Sequence, residues 1–248
     1  MSYLLLVPLA FFCELIDSGL GMGYGTSLTP ILLLMGFEPL QVVPAVLLSE
    51  FTTGALAAYC HHNANNVQFT KHSPDTKVAL VLGALSVIGA VAAVLIAVKL
   101  PGDIAKLWIG GIVVLMGILL LVKRKFKKLS WTGICILGTV ASFNKGLSGG
   151  GYGPLVMGGQ LLSGISTKNA IGITSLAESM TCVVGVFMYL ITQQFIDWSL
   201  APWLMCGAVL SVPFAATFLK KIPERTAHYA VAISVLILGC LTLLKVIL

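Results

Sequence analysis

Charge is what this sequence has least of. Asp, Glu, Lys and Arg make up 10% of its 248 residues, against 58% hydrophobic ones. That is too little polar surface to cover a soluble domain and too much apolar surface to bury in one core, so lipid must solvate the chain. Paired cysteines are absent too. Cys13, Cys60, Cys135, Cys182, Cys206 and Cys240 stand singly in apolar stretches without CxxC spacing, which excludes a disulfide framework and a thiolate zinc site. The four histidines, at 61, 62, 72 and 228, lie near the ends of apolar stretches, and there is no GxxxxGK[ST] loop. No nucleophile with a base, metal cluster or nucleotide motor is therefore expected at membrane depth, and neither an enzyme nor a cofactor. Adjacent histidines on a helix point about 100° apart, so Cys60-His61-His62 and His72 read as part of an interfacial polar loop, 61–77, with no metal.

The net charge of +6 would suggest nucleic acid in a soluble protein. Here it is loop charge, concentrated in Lys123-Arg124-Lys125-Phe126-Lys127-Lys128, a juxtamembrane run that fixes topology and meets anionic lipid headgroups. No nucleic-acid partner is called for. The run also marks a boundary: 1–122 reads as a first repeat, 123–130 as a basic connecting loop and 131–248 as a second repeat, within one integral membrane domain.

Apolar runs of roughly 20 residues, enough to cross about 30 Å of hydrocarbon, fall near 40–60, 78–98, 104–122, 167–191, 199–219 and 228–248. Two longer apolar regions, 3–36 and 131–163, are split by Ser18-Gly19-Leu20-Gly21-Met22-Gly23-Tyr24-Gly25 and Gly146-Leu147-Ser148-Gly149-Gly150-Gly151-Tyr152-Gly153. These breaks belong to an internal repeat. Residues 23–54 align with 151–182 without a gap at an offset of 128, placing Gly23-Tyr24-Gly25 on Gly151-Tyr152-Gly153, Glu50 on Glu178 and Thr53 on Thr181. Glycine-interrupted apolar segments at matching places in two halves are a transporter pattern, with the binding site where the broken segments meet.

Each broken region could cross as an interrupted helix or turn back as a re-entrant hairpin. If both cross, the basic residues outside the breaks divide eight against six between the two faces. If both turn back, eleven share one face, leaving Lys99, Lys106 and Lys245 opposite. The positive-inside rule favours the hairpins. The expected fold is an all-α polytopic membrane protein of two inverted-topology repeats, each a glycine-broken re-entrant hairpin plus three transmembrane helices. Both termini would then face away from the cytoplasm. The apolar stretch Met1 to Phe12 lacks a basic n-region and is the counterpart of 131–143, so it reads as retained sequence and not as a signal peptide.

The breaks are where chemistry enters. Backbone N–H groups released from a helix must be satisfied by protein or water at that depth. The second arm of each hairpin starts a helix, with its positive dipole end, near mid-membrane. Such an end attracts an anion. Gly21, Gly23, Tyr24, Gly25, Thr26, Ser27, Lys145, Ser148, Gly149, Gly150, Gly151, Tyr152 and Gly153 are the candidate substrate-binding residues, with Pro154 suited to a first helical turn. Close helix packing is the ordinary use of membrane glycines, but the matched sets favour a ligand site. Asp17, Glu50 and Glu178 are ion-coupling or structural candidates, because a carboxylate at the centre of a span costs on the order of 3 kcal/mol. Each either carries a proton or holds a hairpin loop by accepting its N–H groups. Lys145, the one basic residue so deep, either neutralises an acid or contacts an anionic substrate.

The two breaks, Asp17 to Thr26 and Asn144 to Pro154, each followed by an apolar arm and a polar-centred helix, resemble the sulfite exporter TauE/SafE family, also called the toluene sulfonate uptake permease family. The resemblance covers essentially the whole chain. It implies a multi-pass protein of a prokaryotic inner membrane and a small sulfur-containing anion (sulfite, thiosulfate or an organosulfonate) as substrate, with membrane lipid around it. Glu14, Asp17 and Glu50 lie outside the glycine pattern that carries the resemblance. The expected function is secondary transport by alternating access, with proton or cation coupling through the buried carboxylates. The alternatives are a passive anion channel and a non-transport membrane assembly partner. Direction, coupling ion and oligomeric state are not encoded in any motif.

Overall fold

The computed structural model of the chain describes residues 3–21, 23–121, 131–192, 196–218 and 224–247. The 123–130 loop with its basic run, Met22, Lys220 and Lys221 lie outside the described residues. Among the described residues ten α-helices follow a 3-10 turn at Tyr3–Leu5: α1 Leu6–Leu20, α2 Tyr24–Leu34, α3 Pro39–Asn63, α4 Pro74–Ala97, α5 Gly102–Leu121, α6 Trp131–Ser148, α7 Tyr152–Leu162, α8 Thr167–Ile191, α9 Ala201–Phe218 and α10 Glu224–Ile247. Among the described residues there is no strand.

The helix ends follow from local sequence. Glu38 and Gln41 form a reciprocal capping box with Pro39 in the first turn of α3. Ser73 accepts the Thr76 amide at 3.1 Å before Pro74, and Ser166 accepts the Asn169 amide at 3.3 Å at the start of α8. These side chains satisfy amides that a helix start leaves without partners. The breaks end α1 and α6 in the same way. Gly21 (φ 71°) donates to the Asp17 carbonyl at 2.6 Å, and its counterpart Gly149 (φ 72°) donates to the Lys145 carbonyl at 2.8 Å. A left-handed residue closing a helix is glycine's usual place. α2 and α7 also end alike, through 3.2 Å (Phe37 amide to Leu32 carbonyl) and 3.1 Å (Ile165 amide to Gln160 carbonyl) bonds.

Among the described residues five helices are long and apolar enough to cross a membrane: Tyr3–Leu20, Pro39–Asn63, Pro74–Ala97, Gly102–Leu119 and Thr167–Ile191. The first of these differs from the simple hairpin expectation, because the arm before the first break already has crossing length. The arms after the breaks, α2 and α7, have 11 residues each, about 16 Å of helix, half a bilayer.

The packing treats the halves as equivalents. Counting α1–α5 against α6–α10, α1 lies along α9 as α6 lies along α4, and α3 lies along α9 as α8 lies along α4. α3 packs on its own counterpart α8, and α5 on α10. Each of these pairings maps onto itself or onto another when the halves are exchanged. Ser179 even donates to the carbonyl of Phe51, the residue 128 positions earlier, at 2.9 Å. The exchange axis therefore passes between α3 and α8. Apolar side chains such as Phe12, Ile88, Ile136, Phe187 and Phe214 face outward, whereas Glu14, Glu50, Lys145, Thr26 and Ser49 are buried. This distribution suits lipid outside and polar chemistry within. The chain is a multi-pass membrane protein.

Candidate functional site

The two breaks meet at the centre. A Cβ on Gly25 would run into the Gly149 carbonyl, and one on Gly150 would come within 2.8 Å of the Gly25 carbonyl carbon and oxygen and the Thr26 nitrogen. The Gly151 amide donates to Thr26 Oγ1 at 3.1 Å. Only residues without side chains allow the two backbones this close. Gly21 is packed against Met157 of the other half, where an added Cβ would stand 2.8 Å from its sulfur. Gly23 and Gly151 are the residues preceding α2 and α7, with φ of 135° and 81°. Ser148 accepts the Gly150 amide at 3.2 Å, and its own hydroxyl donates to the Asn144 carbonyl at 2.8 Å, so it ties up the second break from within.

Lys145 sits beside this junction. Its Nζ donates to Glu178 Oε1 at 2.7 Å and pairs closely with Glu50 Oε2. The three are 1%, 6% and 3% exposed respectively. One acid comes from α3 and one from α8, the two helices at the exchange axis, so a single ammonium is shared by counterparts. A buried pair of this kind gains little net stability but is costly to break.

The helix starts differ in a way that bears on anions. At α2, Asp17 Oδ1 accepts the Tyr24 amide and Glu50 Oε1 accepts the Gly25 amide, each at 3.2 Å. The first half thus places its own carboxylates on the positive end of its own helix. At α7, no hydrogen bond among the described residues joins a carboxylate to the Tyr152 or Gly153 amide, and the position equivalent to Asp17 is Lys145. One helix end is occupied by acids, while its counterpart has a cation beside it. The tyrosines that begin these helices diverge too. Tyr24 OH shares a 2.8 Å hydrogen bond with Ser49, whereas buried Tyr152 OH has no hydrogen-bond partner, because Ala177 stands where Ser49 would.

Of the sequence candidates, Gly21, Gly23, Tyr24, Gly25, Thr26, Lys145, Ser148, Gly149, Gly150, Gly151, Tyr152 and Gly153 gather here with Asp17, Glu50 and Glu178. Ser27 does not join them: it is half-buried on the first turn of α2 and its hydroxyl makes no bond to the cluster. His62 is used locally, whereas His61 reaches the end of α1. His61 meets the Ser18 carbonyl at 2.9 Å, and His62 Nδ1 accepts the Phe69 amide at 3.2 Å. Sequence reasoning passed over Ser49, Thr29 and Gln160. Gln160 donates to Thr174 at 2.8 Å, and Thr29 Oγ1 is buried without a partner next to Gly149. The available signal was a polar residue inside an otherwise apolar arm.

A family model described as "Sulfite exporter TauE/SafE" matches residues 6–242. The chain is similar to a Bacillus subtilis (strain 168) protein named "Probable membrane transporter protein YtnM", 28% identical over 246 residues, spanning 94% of this chain and 79% of that protein. It is also similar to "Probable membrane transporter protein YdhB" of the same organism, 23% identical over 97% of this chain and 100% of that protein. No solved structure matches.

Proposed function

We propose, since the chain belongs to the sulfite exporter TauE/SafE family of membrane transporters, that it is a secondary transporter of a small sulfur-containing anion (sulfite, thiosulfate or an organosulfonate) that works by alternating access with proton coupling. One observation carries the anion reading: the start of α7 has Lys145 beside its break and no carboxylate on its first amides, while the equivalent start of α2 holds two carboxylates. An oxyanion at α7 would take from the helix end what Asp17 and Glu50 take from α2. The unpartnered Tyr152 hydroxyl is a further donor within the same cluster.

In this reading Glu50 and Glu178 hold Lys145 until an anion competes for it, and Lys145 is the charge that recognises the substrate. The breaks form the barrier. Contact between Gly25 and Gly149-Gly150 closes the centre from both sides, so passage requires the halves to separate there. We read the repeats as inverted in the membrane and the α2 and α7 arms as re-entrant. The exchange of packing partners about the α3–α8 axis fits two halves rocking against each other around a central site. A carrier is favoured over a passive channel because the breaks are in backbone contact, not lining an open path.

Uptake of labelled thiosulfate, sulfite or sulfoacetate into proteoliposomes tests the reading. Saturable uptake of one of them, increased by an imposed pH gradient, is the expected result. Flux that rises linearly with concentration would move the assignment to a channel, and no flux of any of the three would remove the substrate class.

A further inference from the structure

The buried charges do not balance. Lys145 is the only buried lysine or arginine among the described residues, and it is fully engaged by Glu50 and Glu178. Glu14, on α1, is 1% exposed. Its Oε1 accepts from Ser18 Oγ at 2.5 Å, while Oε2 is buried with no hydrogen-bond partner. Among the described residues no ammonium or guanidinium pairs with it. Its counterpart in the other half is Ser142, so the repeat supplies no matching charge.

The groups around Glu14 among the described residues bring further carboxyls and hydroxyls and no ammonium. Cys13 and Asp17 share its helix, Tyr24 faces it from α2, and Glu50 and Thr53 face it from α3. His61 of α3 reaches the Ser18 carbonyl one turn along. The Glu178 and Lys145 pair lies beyond Asp17. α9, which packs along α1, brings Cys206 as its one titratable side chain. Two carboxylates, and no lysine or arginine among the described residues, therefore face a third carboxyl in a buried interior, where an ionised group without a partner is very costly.

We propose that Glu14 binds the proton that accompanies the anion: it is protonated when the centre is closed and releases the proton when water reaches it. This rests on the transport reading above and assigns its coupling residue. The proton comes from and returns to water, forming and breaking one carboxyl O–H bond. The coupling is electrostatic. An anion arriving near Lys145 meets a field set by Asp17, Glu50, Glu178 and Glu14, and a neutral Glu14 removes one repulsive charge from it. By reciprocity of linkage, anion binding then tightens proton binding by the same factor. Glu50 and Glu178 are positioning residues in this scheme, because they already have a cation to share.

The test is thiosulfate binding by the purified full chain in detergent across a series of pH values, with wild type beside Glu14→Gln. Thiosulfate keeps its charge over that range, so any slope belongs to the protein. With one linked proton, wild-type affinity falls about tenfold per pH unit above the titration of Glu14, and Glu14→Gln holds its affinity constant. A flat wild type, or a Glu14→Gln protein with the wild-type slope, overturns the proposal. Dicyclohexylcarbodiimide labelling of folded wild type decides the matter if the variant fails to fold or if thiosulfate does not bind, because this reagent attacks protonated carboxyls in apolar surroundings. An adduct on Glu14 that disappears as pH rises supports the assignment, and an unlabelled Glu14 at every pH overturns it. Labelled Glu14 without thiosulfate binding would remove the sulfur-anion reading and leave the proton site, so the two failures differ.

Discussion

Asp17 and Lys145 occupy the same position in the two halves and carry opposite charge. Both supply the carbonyl that closes their helix, to Gly21 and to Gly149. Their side chains diverge: Asp17 accepts the Tyr24 amide at 3.2 Å, and Lys145 reaches across to Glu50 and Glu178. Two equivalent segments thus differ: one helix start has carboxylates on its amides, and the other has a lysine beside it. Four expected outcomes follow from this difference and from the packing around it.

Lys145→Ala leaves Glu50 and Glu178 as buried acids without a cation. Breaking a buried pair in this way costs roughly 3–5 kcal/mol, so the melting temperature of the variant in detergent should fall sharply. Adding Glu50→Gln and Glu178→Gln should recover much of the stability but none of the anion binding. Thermal unfolding with thiosulfate titration separates the two effects. Recovery of both would make Lys145 a structural counter-ion and nothing more.

Glu50→Gln and Glu178→Gln each remove one acid from the shared ammonium. Gradient-driven flux in proteoliposomes should drop by about tenfold or more, equivalent to roughly 1.4 kcal/mol, while the pH slope of binding persists. Unimpaired flux in both variants would remove these residues from the transport cycle.

Tyr24→Phe deletes a hydroxyl bonded to Ser49 and should cost about 1 kcal/mol of stability. Tyr152→Phe deletes a hydroxyl without a partner, so stability should hold while affinity for the anion falls. Equal stability losses in the two variants, measured by thermal unfolding, would show that Tyr152 OH has a structural bond of its own.

Gly25→Ala places a methyl group into the Gly149 backbone, which cannot give way as a side chain could. Overpacking of this kind costs about 1–3 kcal/mol or more, and flux should be lost. Gly158→Ala, on α7, meets nothing within 4 Å and should be neutral or stabilising by up to about 1 kcal/mol, as alanine for glycine inside a helix. Similar behaviour of the two variants would contradict the close contact of the breaks.

Much of the architecture was legible in the sequence, for identifiable reasons. The apolar run at 167–191 is bounded by Ser166 and a polar stretch, and the helix runs Thr167–Ile191. The glycine clusters marked the two breaks because little else interrupts an apolar segment so completely. The length of the arm before the first break was less legible, since apolar composition alone does not say where a helix of crossing length ends. The sharing of Lys145 was hidden for another reason. A sequence repeat says which residues are equivalent but not which copies touch, and only the packing of α3 on α8 brings Glu50 and Glu178 to one ammonium. Gln160 and Thr29 were legible only as polar residues one or more turns into an apolar arm, a weaker signal than the glycine clusters that start those arms.

The central claim, that this chain exchanges a sulfur anion through a site which opens to one side at a time, is tested most directly by counterflow. Proteoliposomes containing the purified chain are preloaded with unlabelled thiosulfate, sulfite or sulfoacetate and diluted into a trace of the labelled anion. The account predicts a transient, saturable accumulation of label for at least one of them, absent in Lys145→Ala. Label that merely equilibrates, or identical curves with and without preloading, would contradict it.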